Sequence, residues 1–308
     1  MRTQSRRSHR GTEITEISLL KGELSALCVS VASYVGLIAV GLLVASPAHA
    51  QWPTYPTKNV PKTADGKPNL DAPAPRAADG HPDLTGLWDN AWFHGGKVAP
   101  PPVSPPGEPP ASTFNNVGAN IPGGLPFRPW AAELKKKRSD DGTRDNPDAN
   151  CLPMGIMQFH EQPQPRKIIQ TPDVIVILYE GNSGIRQIFT DGRPSPDNDP
   201  QPWWYGYSAG HWEGDTLVVT TTGMRDGGWL DIQGSPLTDQ AKITERFKRV
   251  NFGTLQIDVT IDDPKAYTAP FSVRVNQRII LDTQIIEFIC NENEKSVQHM
   301  VPNKKVEK

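Results

Sequence analysis

Acids and bases set inside apolar runs are the residues of this chain best suited to moving protons. Glu287 interrupts Ile285-Ile286-Glu287-Phe288-Ile289, Glu180 closes the run Val174–Tyr179, and Glu245-Arg246 stands directly before Phe247. A carboxylate is costly to bury alone, so each must face water, an arginine or a wet pocket. Where side chains alternate between two faces of a barrel wall, Glu180, Arg186, Tyr207, His211, Glu245 and Glu287 are candidates for lining one cavity. Such a set supports proton transfer between His211 or a carboxyl of raised pKa and a tyrosine or arginine that holds a developing oxyanion. Structural ion pairing is the commoner reason for any one of these residues. Asp191-Gly192-Arg193 and residues 224–231 follow strand-like runs, where binding residues gather, and Trp203, Trp204 and Trp229 offer surface to a flat or sugar-like ligand. The candidate catalytic set is His211, Tyr207, Asp191, Arg193, Glu245 and Glu287. The candidate ligand-binding set is Trp88, Glu180, Arg186, Trp204, Trp229 and Asp231.

Other signals are weaker on physical grounds. Gly206-Tyr207-Ser208-Ala209-Gly210 spells G-x-S-x-G, the nucleophile elbow of serine hydrolases, which requires a strained turn from a strand into a helix. Here His211-Trp212-Glu213-Gly214-Asp215 leads into another β-branched run, so Ser208 reads as a strand serine. His81, His94, His160, His211 and His299 lack metal-motif spacing, and Asp140, Asp141, Asp145 and Asp148 do not match a calcium loop. No metal or cofactor is expected.

The elements that must position these residues are strands. Tyr205 to Trp212 and Thr216–Thr222 are rich in aromatic and β-branched residues and are joined by Glu213-Gly214-Asp215, which makes a β-hairpin. Val174–Tyr179 turns back through Gly181-Asn182-Ser183-Gly184 into residues 185–190, and residues 243–250 pair with Thr254–Asp262. In the latter Leu255, Ile257, Val259 and Ile261 alternate with polar residues, the period of a strand with one dry face. Residues 271–275 and 283–290 complete the series. A helix is expected only over residues 130–138, after Pro129. The fold class is all-β: an antiparallel up-and-down barrel of about eight to ten strands. The barrel domain is assigned to residues 131–308, with a first strand within residues 84–93.

Residues 51–130 carry 17 of the 31 prolines and read as an extended arm. Within it Ala64-Asp65-Gly66-Lys67-Pro68-Asn69-Leu70 is echoed by Ala78-Asp79-Gly80-His81-Pro82-Asp83-Leu84, two similar Asp-Gly turns. The chain opens with arginines, an apolar run over residues 24–44 and Ala48-His49-Ala50, the pattern of a secretory signal cleaved after Ala50. The run is nearly long enough to be a retained membrane anchor. Cleavage leaves 27 basic against 31 acidic residues, which gives no reason to expect a nucleic-acid partner. It also leaves Cys151 and Cys290, expected to pair in a periplasmic or secreted protein.

Two resemblances add to this. Gly86-Leu87-Trp88 ahead of a β-meander resembles the Gly-x-Trp signature of the lipocalin/calycin group, which implies a calycin-like barrel. Gln170-Thr171-Pro172, Ile188-Phe189-Thr190-Asp191-Gly192-Arg193, Trp212-Glu213-Gly214-Asp215-Thr216-Leu217, Thr244-Glu245-Arg246-Phe247, residues 260–267 and Cys290-Asn291-Glu292-Asn293 resemble a functionally uncharacterised family of secreted bacterial proteins. That family often carries histidine where this chain has Ser195 and Leu237; the resemblance implies the domain and not its task. Two functions are expected of such a chain: a cofactor-independent acid/base enzyme (lyase, isomerase or hydrolase) on a small organic molecule, or a lipocalin-like carrier of an apolar ligand.

Overall fold

The computed structural model describes residues 55–91, 93–94, 97–98, 103–196, 201–290 and 292. The expected secretory signal and its cleavage point fall outside these residues. In chain order the strands are β1 (Gly86–Asn90), β2 (Phe93–His94), β3 (Lys97–Val98), β4 (Arg166–Gln170), β5 (Val174–Tyr179), β6 (Ile185–Phe189), β7 (Tyr207–Glu213), β8 (Thr216–Thr222), β9 (Gly228–Trp229), β10 (Pro236–Leu237), β11 (Lys242–Arg249), β12 (Thr254–Asp262) and β13 (Phe271–Ile279). Nine of them close a barrel in the order β1-β13-β12-β11-β8-β7-β6-β5-β4, with β1 sealing the wall between β4 and β13. Among the described residues the helices are α1 (Pro129–Asp140), α2 (Ile156–Glu161) and two single 3-10 turns.

The expected all-antiparallel, up-and-down wall is corrected at one seam: β6 and β7 run parallel, in register only at Ile188↔Ser208 and Phe189↔Ala209. A parallel neighbour needs a connection that carries the chain back along the barrel, and the Pro-rich stretch 190–206 does this. A second correction concerns residues 283–290, which form no strand. β1 already occupies the place beside β13, so no edge of β13 is left for a further strand to join. Residues 280–290 run instead as a strap over the outside: the Ile286 amide donates to Glu180 Oε2 (3.0 Å) and Ser183 Oγ donates to the Phe288 carbonyl (2.8 Å). The Cys151–Cys290 disulfide pins the strap and closes a sequence separation of 139, which stabilises the fold by about 5 kcal/mol in the chain-entropy model.

Inward positions of the wall are apolar over most of its height, with Ile168, Ile177, Ile188, Leu217, Val219, Phe247, Leu255, Ile257 and Val275 in one buried cluster. The duplicated Asp-Gly turns close one end. Beside the first copy, the Phe252 and Gly253 amides at the β11–β12 turn donate to the Ala72 and Leu70 carbonyls, each at 2.8 Å. In the second copy His81 stacks on Trp212 (4.6 Å between centroids), and two residues before that copy Arg76 grips Asp215 on the β7–β8 turn through two hydrogen bonds. Arg249 spans the same end, its guanidinium 5.0 Å over Trp88 and donating to the Asp83 and Phe252 carbonyls.

Helix α2 stops the other end, and it is the element that the sequence did not announce. Six residues are too few for a helix to be stable in water, and all six are buried. Tertiary contacts hold it: Phe159 stacks on Tyr179 of β5 (4.3 Å), and Gln158 Nε2 donates to the Trp229 carbonyl (3.1 Å). Its entry demands glycine, because a Cβ on Gly155 would stand 2.3 Å from the Trp229 carbonyl oxygen. Backbone atoms cannot yield as a side-chain tip can, so Gly155→Ala is expected to cost about 2–3 kcal/mol. Urea unfolding of the variant measures this; a midpoint equal to wild type would show that α2 tolerates displacement.

Candidate functional site

Alternation along β11 points Ile243, Glu245 and Phe247 inward, so the Glu245 carboxylate lies in the barrel interior with no exposure to water. Two elements reach it. Arg186, inward on β6, donates Nη1 to Glu245 Oε1 (2.9 Å) and Nη2 to Oε2, making a bidentate pair. His160 of α2 places Nε2 2.6 Å from Oε1. The remaining guanidinium donors go to Ser208 Oγ (Nε, 3.1 Å) and Thr221 Oγ1 (Nη2, 3.0 Å), and these hydroxyls share a hydrogen bond of 2.9 Å. Tyr179 stands beside Arg186 and beneath α2. Below the helix, Arg166 of β4 donates to the carbonyls of His160, Gln162 (2.9 Å) and Gln164 (3.0 Å), which satisfies backbone acceptors at the helix end.

The electrostatics follow from burial and pairing. Burial pushes the Glu245 carboxyl up, but the Arg186 charge and hydrogen bonds, with that of His160, outweigh it and hold the pKa down at about 2. Glu245 raises Arg186 against its own burial. For His160 burial dominates: it lowers the pKa below the ordinary 6.5 despite Glu245, and Arg186 and Arg166 add repulsion. Neutral His160 therefore donates from Nε2 to the carboxylate, and Nδ1 has no hydrogen-bond partner among the described residues.

A pocket borders this network at Arg186 and Ser208, where the wall is thinnest. β6 is paired with β5 along its length, but its other side meets β7 only at Ile188 and Phe189, so the edge from Ile185 to Gln187 has no strand beside it. Residues 202–206 fold over this gap. The Trp203 amide donates to the Gly223 carbonyl (3.0 Å) and the Arg225 amide to the Trp203 carbonyl (2.8 Å). Gly206 makes the return into β7 at φ +61°, with the Thr222 carbonyl 2.5 Å from where a Cβ would be. The result is a cavity of about 360 Å³ lined by Pro153, Ile185, Arg186, Gln187, Phe189, Pro202, Trp203, Trp204, Tyr205, Gly206 and Ser208. Arg193 stacks over Phe189 (4.2 Å) and Arg225 over Trp204 (5.2 Å) beside it.

The single cavity expected of the sequence candidates is not what forms. Arg186 and Glu245 meet. Tyr207 and His211 sit on the outer face of β7, where His211 Nε2 lies 3.3 Å from Glu213 and Tyr207 packs between Phe189 and Trp203. Glu287 is exposed on the strap, Glu180 is half-buried and holds that strap, and Asp191 and Arg193 pair with each other on a loop. Of the expected ligand contacts, Trp204 and Arg186 line the pocket. Trp88 is buried with Nε1 donating to the Leu84 carbonyl (3.0 Å), and Trp229 is buried under Arg138 (4.4 Å). Asp231 is also buried and ties its loop by accepting from Ser235 Oγ (2.8 Å) and the Val117 amide (3.2 Å). Ser208 is a strand serine bound to Arg186. His160, Tyr179 and Tyr205 went unnoticed; their only signal was aromatic residues near short apolar runs. Among the described residues no three His, Cys, Asp or Glu side chains could hold a metal ion.

No protein family, curated protein or solved structure matches this chain.

Two outcomes follow from the buried network. Glu245→Gln leaves Arg186 charged and unpaired and is expected to cost about 3–5 kcal/mol in urea unfolding. Arg186→Met with Glu245→Leu is expected to cost less than that single change, and a greater loss would contradict the pairing. The second outcome concerns pH. The unfolded chain protonates His160 more readily than the folded one, so this contribution is complete above about pH 6.5 and is lost as the pH falls below it. Glu245 adds a further loss from 4.5 down to about 2. Unfolding at graded pH is expected to show both limbs, and His160→Gln should flatten the upper one; a wild type insensitive to pH from about 7 to about 5 would contradict it.

Proposed function

We propose that this chain is an exported, calycin-like binding protein for a largely apolar organic molecule, and that its site is the seam between β6 and β7. The observation that carries this reading is the aromatic-lined cavity itself. Trp203, Trp204, Tyr205 and Phe189 surround a gap in the wall, while the inward positions of the barrel are occupied by side chains and by α2. Pockets of this size, mostly apolar with a few polar groups at one side, are the usual form of small-molecule sites. Here the polar side is the Arg186 and Ser208 positions. Export is supported by the basic and apolar N-terminal segment and agrees with the disulfide. The calycin-like reading is supported by the closed barrel and by Gly86-Leu87-Trp88 on β1.

A catalytic reading retains one specific support, the His160–Glu245 pair with Nδ1 of the histidine unpartnered among the described residues. A carboxylate that fixes the tautomer of a histidine is a common arrangement for a general base. The network is enclosed, however, and the aromatic cavity is not, so binding is the better-supported function.

Titration with N-phenyl-1-naphthylamine, a neutral aromatic probe, tests the reading. Saturable binding with quenching of tryptophan emission is expected, and Trp204→Ala should weaken it about tenfold through loss of aromatic contact. Unsaturable partitioning, or equal affinity in the variant, would place the site elsewhere.

A further inference from the structure

Large apolar side chains scattered over a surface need no explanation, but a contiguous group of them does. Leu152, Ile185, Trp203, Ile286 and Ile289 are exposed by 44%, 59%, 47%, 40% and 50%, and the chain segments that carry Leu152, Ile286 and Ile289 are tied to the turn that leads into β6. The ties are polar contacts on the turn Gly181–Ser183. Asn182 Nδ2 donates to the Leu152 carbonyl (3.2 Å), Ser183 Oγ donates to the Phe288 carbonyl (2.8 Å), and Glu180 accepts from the Ile286 amide (3.0 Å). The disulfide joins Cys151, next to Leu152, to Cys290, next to Ile289. The same turn leads into β6, where Ile185 is the first residue. Ile185, Trp203 and Pro153 also line the cavity, and Leu152 follows Cys151 directly before Pro153, so the exposed residues begin at the rim of the pocket.

We propose that the natural ligand is longer than the pocket: a chain-bearing amphiphile whose apolar part fills the seam and continues onto Leu152, Ile286 and Ile289. This rests on the seam being the binding site. The strap's hydrogen bonds and disulfide hold these residues in place before any ligand arrives, so little ordering cost remains when a chain settles on them. A ligand confined to the cavity would leave these residues in water and give no reason for anchoring them there.

The test is displacement of N-phenyl-1-naphthylamine by saturated monocarboxylates from hexanoate to tetradecanoate, in wild type and in the double variant Leu152→Ser/Ile289→Ser. Neither substituted residue lines the cavity. In wild type the affinity should rise about fourfold per added methylene across the series. The variant should match wild type for hexanoate and fall at least about tenfold behind at tetradecanoate, with an unchanged melting temperature. A variant that tracks wild type at every length overturns the proposal, as does an equal loss at all lengths. Sedimentation showing a wild-type dimer that the variant breaks would assign these exposed residues to a second copy and also overturn it. If the probe binds and no carboxylate displaces it, the pocket stands and the chain-bearing ligand does not. If the probe itself fails to bind, the seam reading fails, and this inference with it.

Discussion

The bidentate pair of Arg186 and Glu245 can be buried only if every remaining donor and acceptor around it is satisfied. That requirement organises much of the molecule. It calls for hydroxyls on β7 and β8, met by Ser208 and Thr221, and for a further donor to the carboxylate, met by His160. Histidine in turn requires a helix carried into the end of the barrel, and that helix requires Gly155 at its entry, Trp229 above it and Arg166 on its terminal carbonyls. These groups come from α2 and its entry, β4, β7, β8 and β9. Such a network brings little net stability compared with an apolar core of equal volume; it penalises wrong arrangements, since any mispairing leaves a charge buried alone.

Filling the barrel has a consequence for where a ligand can go. A carrier barrel ordinarily keeps an empty lumen, whereas here α2 and the paired charges occupy one end and the Asp-Gly turns cover the other. The wall is weakest where β6 and β7 are parallel and touch at two positions. The chain covers that gap with Trp203, Trp204 and Tyr205 rather than with another strand, and a covering of flat rings leaves space between them. Topology, through the long return that a parallel neighbour needs, thus creates the cavity that aromatic side chains then define.

Much of the wall was legible in the sequence because its chemistry is local. Leu255, Ile257, Val259 and Ile261 alternate strictly, Glu213-Gly214-Asp215 makes its turn, and the two Asp-Gly repeats are turns. Cys151 and Cys290 pair as expected. The facing of β7 was not legible. Ser208 and Gly210 point inward while Tyr207 and His211 point outward, yet neither set is apolar, and a slip of one residue exchanges them. The apolar run around Glu287 looked like a strand, but β1 had filled its place through a pairing distant in sequence. Helix α2 could not be foreseen, since six residues carry no periodic signal and only tertiary contacts make them helical. The candidate site was half readable for that reason: Arg186, Glu245 and Trp204 stood out, whereas His160 and Tyr205 gain their meaning from packing.

The central claim is that the ligand sits in the wall and not in the lumen. The most direct test is a crystal structure of the protein grown with a brominated aryl amine, locating bromine by its anomalous signal. The account predicts a peak between β6 and β7 in contact with Trp204, with α2 undisturbed. A peak inside the barrel, with residues 156–161 displaced to make room for it, would contradict the account and return the site to the interior.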